Sequence, residues 1–287
     1  MGSSWPQLWS CDAFPAAFTE AGARLLVKRL GVHGRWSGSL ARVMPPEEFE
    51  AIAAEARRLL DLAPDEGMEA KLACARCFER TQRANLSPAE IEELQRGVEK
   101  AAAFYAARGD IEGESEALDA LASIYRGALG DWERSNEATQ RRLANVDRLS
   151  LLERIDAWAV MAWTLVFAGR YDDAIATRAR CIASSHAGDP VFALVHITSW
   201  AALAARLGGR WDEALALGDA LLAMREESQR PIGRFTLNGW GAAMHVAAAR
   251  LDTTRLARLR SAALAIANFD QPAEPLRPAW TAPPERG

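Results

Sequence analysis

The sequence predicts an all-α fold built from paired helices, and three observations carry that expectation. Apolar residues recur at helical spacing through almost every segment from 46 to 267, and alternating, strand-like runs are missing. A complete capping signature at Ser87 fixes one helix start. A short pattern of glycine, aromatic and acidic residues returns three times at spacings of 39 and then 40 residues.

The elements follow in chain order. Residues 1 to 15 and 31 to 45 mix Trp, Pro, Ser and Gly without clear periodicity, so segment 1–45 is poorly defined and holds one helix near 16 to 30. Further helices are expected near 46 to 62, 67 to 84, 88 to 107, 112 to 128 and 132 to 146. Others fall near 150 to 168, 171 to 185, 190 to 207, 211 to 226, 231 to 249 and 252 to 267. At Ser87 a capping hydroxyl is followed by Pro88 at the first helical position and Glu90 three residues on. From there Ile91, Leu94, Val98, Ala101, Ala102 and Tyr105 form one apolar stripe, and Gly109-Asp110 ends it. Connections of a few residues make successive helices antiparallel neighbours. The helical domain is therefore expected over 46–267. Pro272, Pro275, Pro278, Pro283 and Pro284 exclude helix from segment 268–287, which reads as a disordered tail.

The repeat is Gly130-Asp131-Trp132-Glu133-Arg134-Ser135, then Gly169-Arg170-Tyr171-Asp172-Asp173-Ala174, then Gly209-Arg210-Trp211-Asp212-Glu213-Ala214. The glycine can adopt the left-handed conformation that closes one helix, and the acidic residues complement the dipole at the start of the next. The aromatic residue wedges into the junction. Ser135, Ala174 or Ala214 sits one turn into the second helix, where a small side chain permits close helix approach. A weaker echo at Arg250 to Leu256 keeps the spacing but loses the glycine and the aromatic. One helix pair per fixed period predicts a right-handed α-solenoid, each pair burying its apolar face against its neighbours.

These segments resemble tetratricopeptide repeats, whose usual unit is about 34 residues. The middle copy also has Trp158, Ala162 and Leu165 at matching first-helix positions. Residues 101 to 267 are in addition similar to the helical regions that follow the ATPase module in large bacterial signalling proteins of nucleotide cyclase and transcriptional-activator types. No Gly-x-x-x-x-Gly-Lys-[Ser/Thr] is present to cradle phosphate, so the resemblance implies a scaffold role and not ATPase activity.

Composition narrows the function classes. The 287-residue chain is 49% hydrophobic, enough for a substantial core. Its net charge of -4 comes from interspersed acidic and basic residues, which argues against direct nucleic-acid binding. Only Lys28, Lys71 and Lys100 among the 34 basic residues are lysine, the bias of a GC-rich bacterial genome. No long apolar run or leader-like segment is seen, so the expected location is the cytoplasm, with no membrane partner.

Chemistry-bearing constellations are sparse. Cys74-Ala-Arg-Cys77 is the one CxxC, and Cys11 and Cys181 lie in unrelated segments, short of the four ligands of structural zinc. His33, His186, His196 and His245 are scattered, and Glu47-Glu48 and Asp172-Asp173 sit at helix starts, where the dipole explains them. Gly31, Gly34 and Gly38 lack dinucleotide-binding spacing. The expectation is a protein that is no enzyme and carries neither metal nor cofactor. Trp158, Trp163, Trp200 and Trp240 fall on first helices of pairs, as core residues or as anchors. The repeat pattern points Trp163, His196, Ser199 and Arg206 toward a concave groove for a protein or peptide partner or a small effector. The expected function is that of a non-catalytic scaffold in signal transduction or transcriptional regulation, its partner including a catalytic or DNA-binding module. The alternatives are the detached sensory part of a cyclase- or ATPase-type regulator, and a metal- or thiol-dependent enzyme.

Overall fold

The structure, a computed structural model, describes residues 16–36, 44–83, 86–185, 194–228 and 235–266. Among them are twelve α-helices and no strand: α1 (Ala16–Arg35), α2 (Pro46–Leu62), α3 (Glu66–Thr81), α4 (Pro88–Arg108), α5 (Ile111–Ser123), α6 (Trp132–Leu143), α7 (Leu151–Phe167), α8 (Tyr171–Ala183), α9 (Val195–Leu207), α10 (Trp211–Ser228), α11 (Thr236–Ala249) and α12 (Thr253–Leu264). The expected proline-rich tail, Cys11, His186 and Gly38 lie outside the described residues.

Local chemistry sets several helix ends. Ser87 and Glu90 complete the reciprocal capping box of α4, and the Asp65, Asp110, Asp131 and Asp252 side chains accept backbone N–H groups at the starts of α3, α5, α6 and α12. Gly130, Gly169 and Gly209 have φ of 65°, 75° and 75°, the left-handed conformation that lets the next helix begin two residues later. The echo in the last pair is displaced by one residue. Leu251 takes the position of Gly209 and is forced to φ 57°.

Three stretches differ from the sequence expectation. Helix α1 continues to Arg35, past residue 30, because its last turn packs on α3, with the Gly34 carbonyl accepting from Gln82 Nε2 at 2.6 Å. The helix expected over 112 to 128 is α only to Ser123, and Ile124–Leu129 form a wider π-helical turn. Helix α6 stops at Leu143, and a single 3₁₀ turn, Val146–Arg148, leads into α7.

From α3 to α12 each helix packs on the next, and contacts also link α3 to α5, α5 to α7, α7 to α9 and α9 to α11. Helix α1 lies against both α2 and α3. Ser135, Ala174 and Ala214 are each fully buried at a helix contact, the place where a larger side chain would force the helices apart. On the exposed side Arg210 pairs with Asp172 at 3.2 Å, and Arg250 pairs in the same way with Asp212. No described helix is long and apolar enough to cross a membrane.

Candidate functional site

The chain buries a cluster of charges where α1, α5, α6 and α7 meet. Arg35, the last residue of α1, donates Nε to Asp119 at 3.1 Å, Nη1 and Nη2 to the two Glu153 oxygens at 2.7 and 2.9 Å, and Nη2 to Asp156 at 2.8 Å. Arg142 of α6 donates Nη2 to Glu153 at 2.9 Å and to Asp156 at 2.7 Å, and Nε to the Ser115 hydroxyl at 3.1 Å. Ser115 in turn donates to Glu153 at 2.6 Å. These five charged side chains are 0 to 9% exposed. Burial alone would favour protonated carboxyls, but the two guanidinium groups outweigh it and hold Glu153 and Asp156 below the usual carboxylate range. Burial likewise works against the charge on Arg35 and Arg142, and the surrounding carboxylates reverse it.

Arg126 differs from those two arginines. It stands on the π turn with its side chain 5% exposed, and its Nη2 donates to the Ser123 hydroxyl at 2.9 Å. Its nearest carboxylate oxygen, on Asp119, is 3.8 Å away, too far for a short charge-assisted hydrogen bond. Its Nη1, like Arg142 Nη1, has no hydrogen-bond partner among the described residues. Burial therefore prevails and lowers its pKa.

Beyond Arg126 runs a chain of aromatic contacts. The Arg126 guanidinium carbon lies 4.1 Å from the Trp163 ring centre, and Trp163 stacks on Trp200 at 5.2 Å with 5° between the planes. Phe167 meets Trp200 edge-on at 6.0 Å and stacks on Trp132 at 4.9 Å. His196 stands 6.3 Å from Trp200 and stacks on Phe235 at 4.0 Å. Burial, assisted by Arg126 and opposed by Asp156, lowers the His196 pKa to about 4, so the imidazole is neutral at pH 7. Among the described residues, Trp163 Nε1, Trp200 Nε1 and His196 Nε2 share with Arg126 Nη1 the lack of a hydrogen-bond partner.

Of the four groove residues expected from sequence, Trp163 and His196 are joined through Trp200. The fully buried Ser199 hydroxyl donates to the Phe235 carbonyl and accepts from Gly239 N–H at 2.8 Å, tying α9 to α11. Arg206 is ten residues past His196 on α9, about 15 Å along the axis, where partial burial lowers its pKa. The sequence reading missed Arg35, Arg126, Arg142, Glu153 and Asp156. Helix α7 offers the signal that would have found the last two: it is apolar nearly all round, and such a helix buries whatever charge it carries.

Cys74 and Cys77 are fully buried in the α3–α5 core, burial pushes both thiols up, and Cys77 Sγ donates to the Ala120 carbonyl at 3.3 Å. Thiols so held are poor nucleophiles. No group of three or more His, Cys, Asp or Glu among the described residues is placed to hold a metal ion.

Compared with known proteins, the sequence matches no family model, and no curated protein is significantly similar to it.

Proposed function

We propose that the chain is a non-catalytic, tetratricopeptide-like scaffold in bacterial signalling, working in the cytoplasm by binding a partner polypeptide or a small effector. The packing of each helix from α3 onward on the next, with α3, α5, α7, α9 and α11 also packed in series on one another, supports a solenoid of antiparallel pairs. The matching φ of Gly130, Gly169 and Gly209 and the matching Arg210–Asp172 and Arg250–Asp212 pairs support true repetition.

One observation carries the binding role. Helices α7 and α9, which pack on each other, bring Trp163, Trp200 and His196 beside Arg126, and each of the four keeps a buried nitrogen without a partner among the described residues. Leaving such groups unsatisfied costs about 1–3 kcal/mol apiece. A surface that recognises something recovers that cost when it is occupied.

Affinity capture from a lysate of the source organism tests the role, comparing wild type with a Trp163→Ala, His196→Ala double variant of matching helicity by circular dichroism. A macromolecule or a co-purifying small molecule held by wild type and lost by the variant supports the reading. Equal retention moves binding off this face, and nothing held by either protein contradicts a scaffold role.

A further inference from the structure

We infer that the face formed by the π turn, α7 and α9 binds the carboxylate of a small monoanionic acid with an apolar body, through Arg126 and the indole N–H groups of Trp163 and Trp200. The inference rests on the binding role proposed above and names the chemistry of its ligand.

Three features select that ligand. The first is the character of the free valences. A guanidinium nitrogen and two indole nitrogens can only donate, so what satisfies them together must be an acceptor. Trp158 and Trp240 also keep unpartnered indole N–H groups, but Trp240 is enclosed in the apolar core of α9 to α12. Among the described residues it is beside Arg126 that several such donors are linked by direct ring contacts.

The second feature is charge. Arg35 and Arg142 each lie within 3.2 Å of three carboxylate side chains, whereas Arg126 is 3.8 Å from its nearest carboxylate oxygen. A single negative charge can pair with Arg126. A phosphate dianion would place a second charge near Asp119 and Asp156 with no cation left to meet it.

The third feature is the wall. Phe167, Trp200, the neutral imidazole of His196 and Phe235 are joined by successive ring contacts beside the donors, surroundings that favour an apolar body over a hydrated one.

Isothermal titration with acetate, hexanoate, phenylacetate, phenylacetamide and inorganic phosphate tests the assignment on the full chain. Phenylacetate and hexanoate are expected to bind in the millimolar range or tighter, with acetate, phosphate and the amide at least about tenfold weaker. Arg126→Gln should weaken phenylacetate by about tenfold or more. Because Arg126 is buried and its replacement can unfold the turn, Trp200→Phe serves as a second variant that deletes one donor and keeps a stacking ring. The inference is overturned if the amide binds as well as the acid, if phosphate alone binds, if no probe binds, or if folded variants bind phenylacetate as wild type does. Partner capture through Trp163 and His196 by a protein indifferent to every carboxylate would remove this inference and leave the binding role standing.

Discussion

The Arg126 guanidinium lies over Trp163, 4.1 Å from the ring centre, while its Nη1 has no hydrogen-bond partner among the described residues. A buried cation held by a ring face and one hydroxyl is under-coordinated beside Arg35 and Arg142, each of which reaches three carboxylates. Arg35 and Arg142, each paired closely with three carboxylates, therefore hold the frame, and Arg126 is left for recognition. The predictions below test these separate duties.

Arg35 is a fastener between the start of the described chain and α5 and α7. Removing one member of a buried ionic cluster strands the other charges at a cost of about 3–5 kcal/mol. Arg35→Met should lower stability to urea by about that amount, and Arg35→Lys should recover only part, because an ammonium cannot fork onto Glu153. A loss below about 1 kcal/mol for Arg35→Met would be the value of a surface pair and would contradict the fastening role.

His196 should make the protein acid-sensitive. Its folded pKa of about 4 is below the ordinary 6.5, so the unfolded chain takes up the proton first. The stability it contributes is complete above pH 6.5 and is lost as pH falls toward 4. His33, Glu153 and Asp156, also lowered, act in the same direction, the two carboxylates only as pH nears their ordinary range, and the raised Glu116 acts in the opposite one. Allowing for partial exposure, the His196 share is about 1–3 kcal/mol. Urea unfolding of wild type and His196→Gln from pH 7 to 4 should show a shallower decline in the variant, and parallel curves would refute the assignment.

Leu251 occupies a left-handed conformation at φ 57° with 85% of its surface exposed, so it bears the strain of the turn without burying much in return. Leu251→Gly should stabilise the protein by about 0.5–1 kcal/mol by relieving the Cβ clash. A fall in Tm would show that the turn is not strained.

Ser199 satisfies two backbone groups at once, the Phe235 carbonyl and Gly239 N–H. Ser199→Ala should cost about 1–3 kcal/mol. Gly239→Ala should also destabilise, since a Cβ there would come 2.9 Å from Ser199 Cα and 2.5 Å from Leu221 Cδ1. Thermal melts of both variants decide this, and unchanged melting would mean that α9 and α11 are not held together there.

The helical frame is legible in the sequence because its signals are local. Ser87, Pro88 and Glu90 mark the start of α4, and Gly130, Gly169 and Gly209 mark junctions with the backbone angles a glycine is needed for. The charged cluster is not legible in that way. Arg35 and Asp156 are 121 residues apart, and each alone looks like a solvated side chain. The π turn is hidden too, because Ile124 to Leu129 read as a continuation of α5, and the wider winding gives Arg126 its place. Spacing groups Trp163, His196, Ser199 and Arg206 together, whereas the partners of Ser199 and the distance of Arg206 from the others depend on packing that no periodicity encodes.

The most direct measurement is a two-dimensional NMR spectrum of the indole N–H groups, with the ten tryptophans labelled with nitrogen-15 and assigned by single Trp→Phe variants. If the face beside Arg126 is the binding surface, adding phenylacetate should shift the Trp163 and Trp200 indole signals saturably and leave those of Trp158 and Trp240 in place. Unmoved Trp163 and Trp200 signals, or shifts confined to Trp158 or Trp240, would contradict the account.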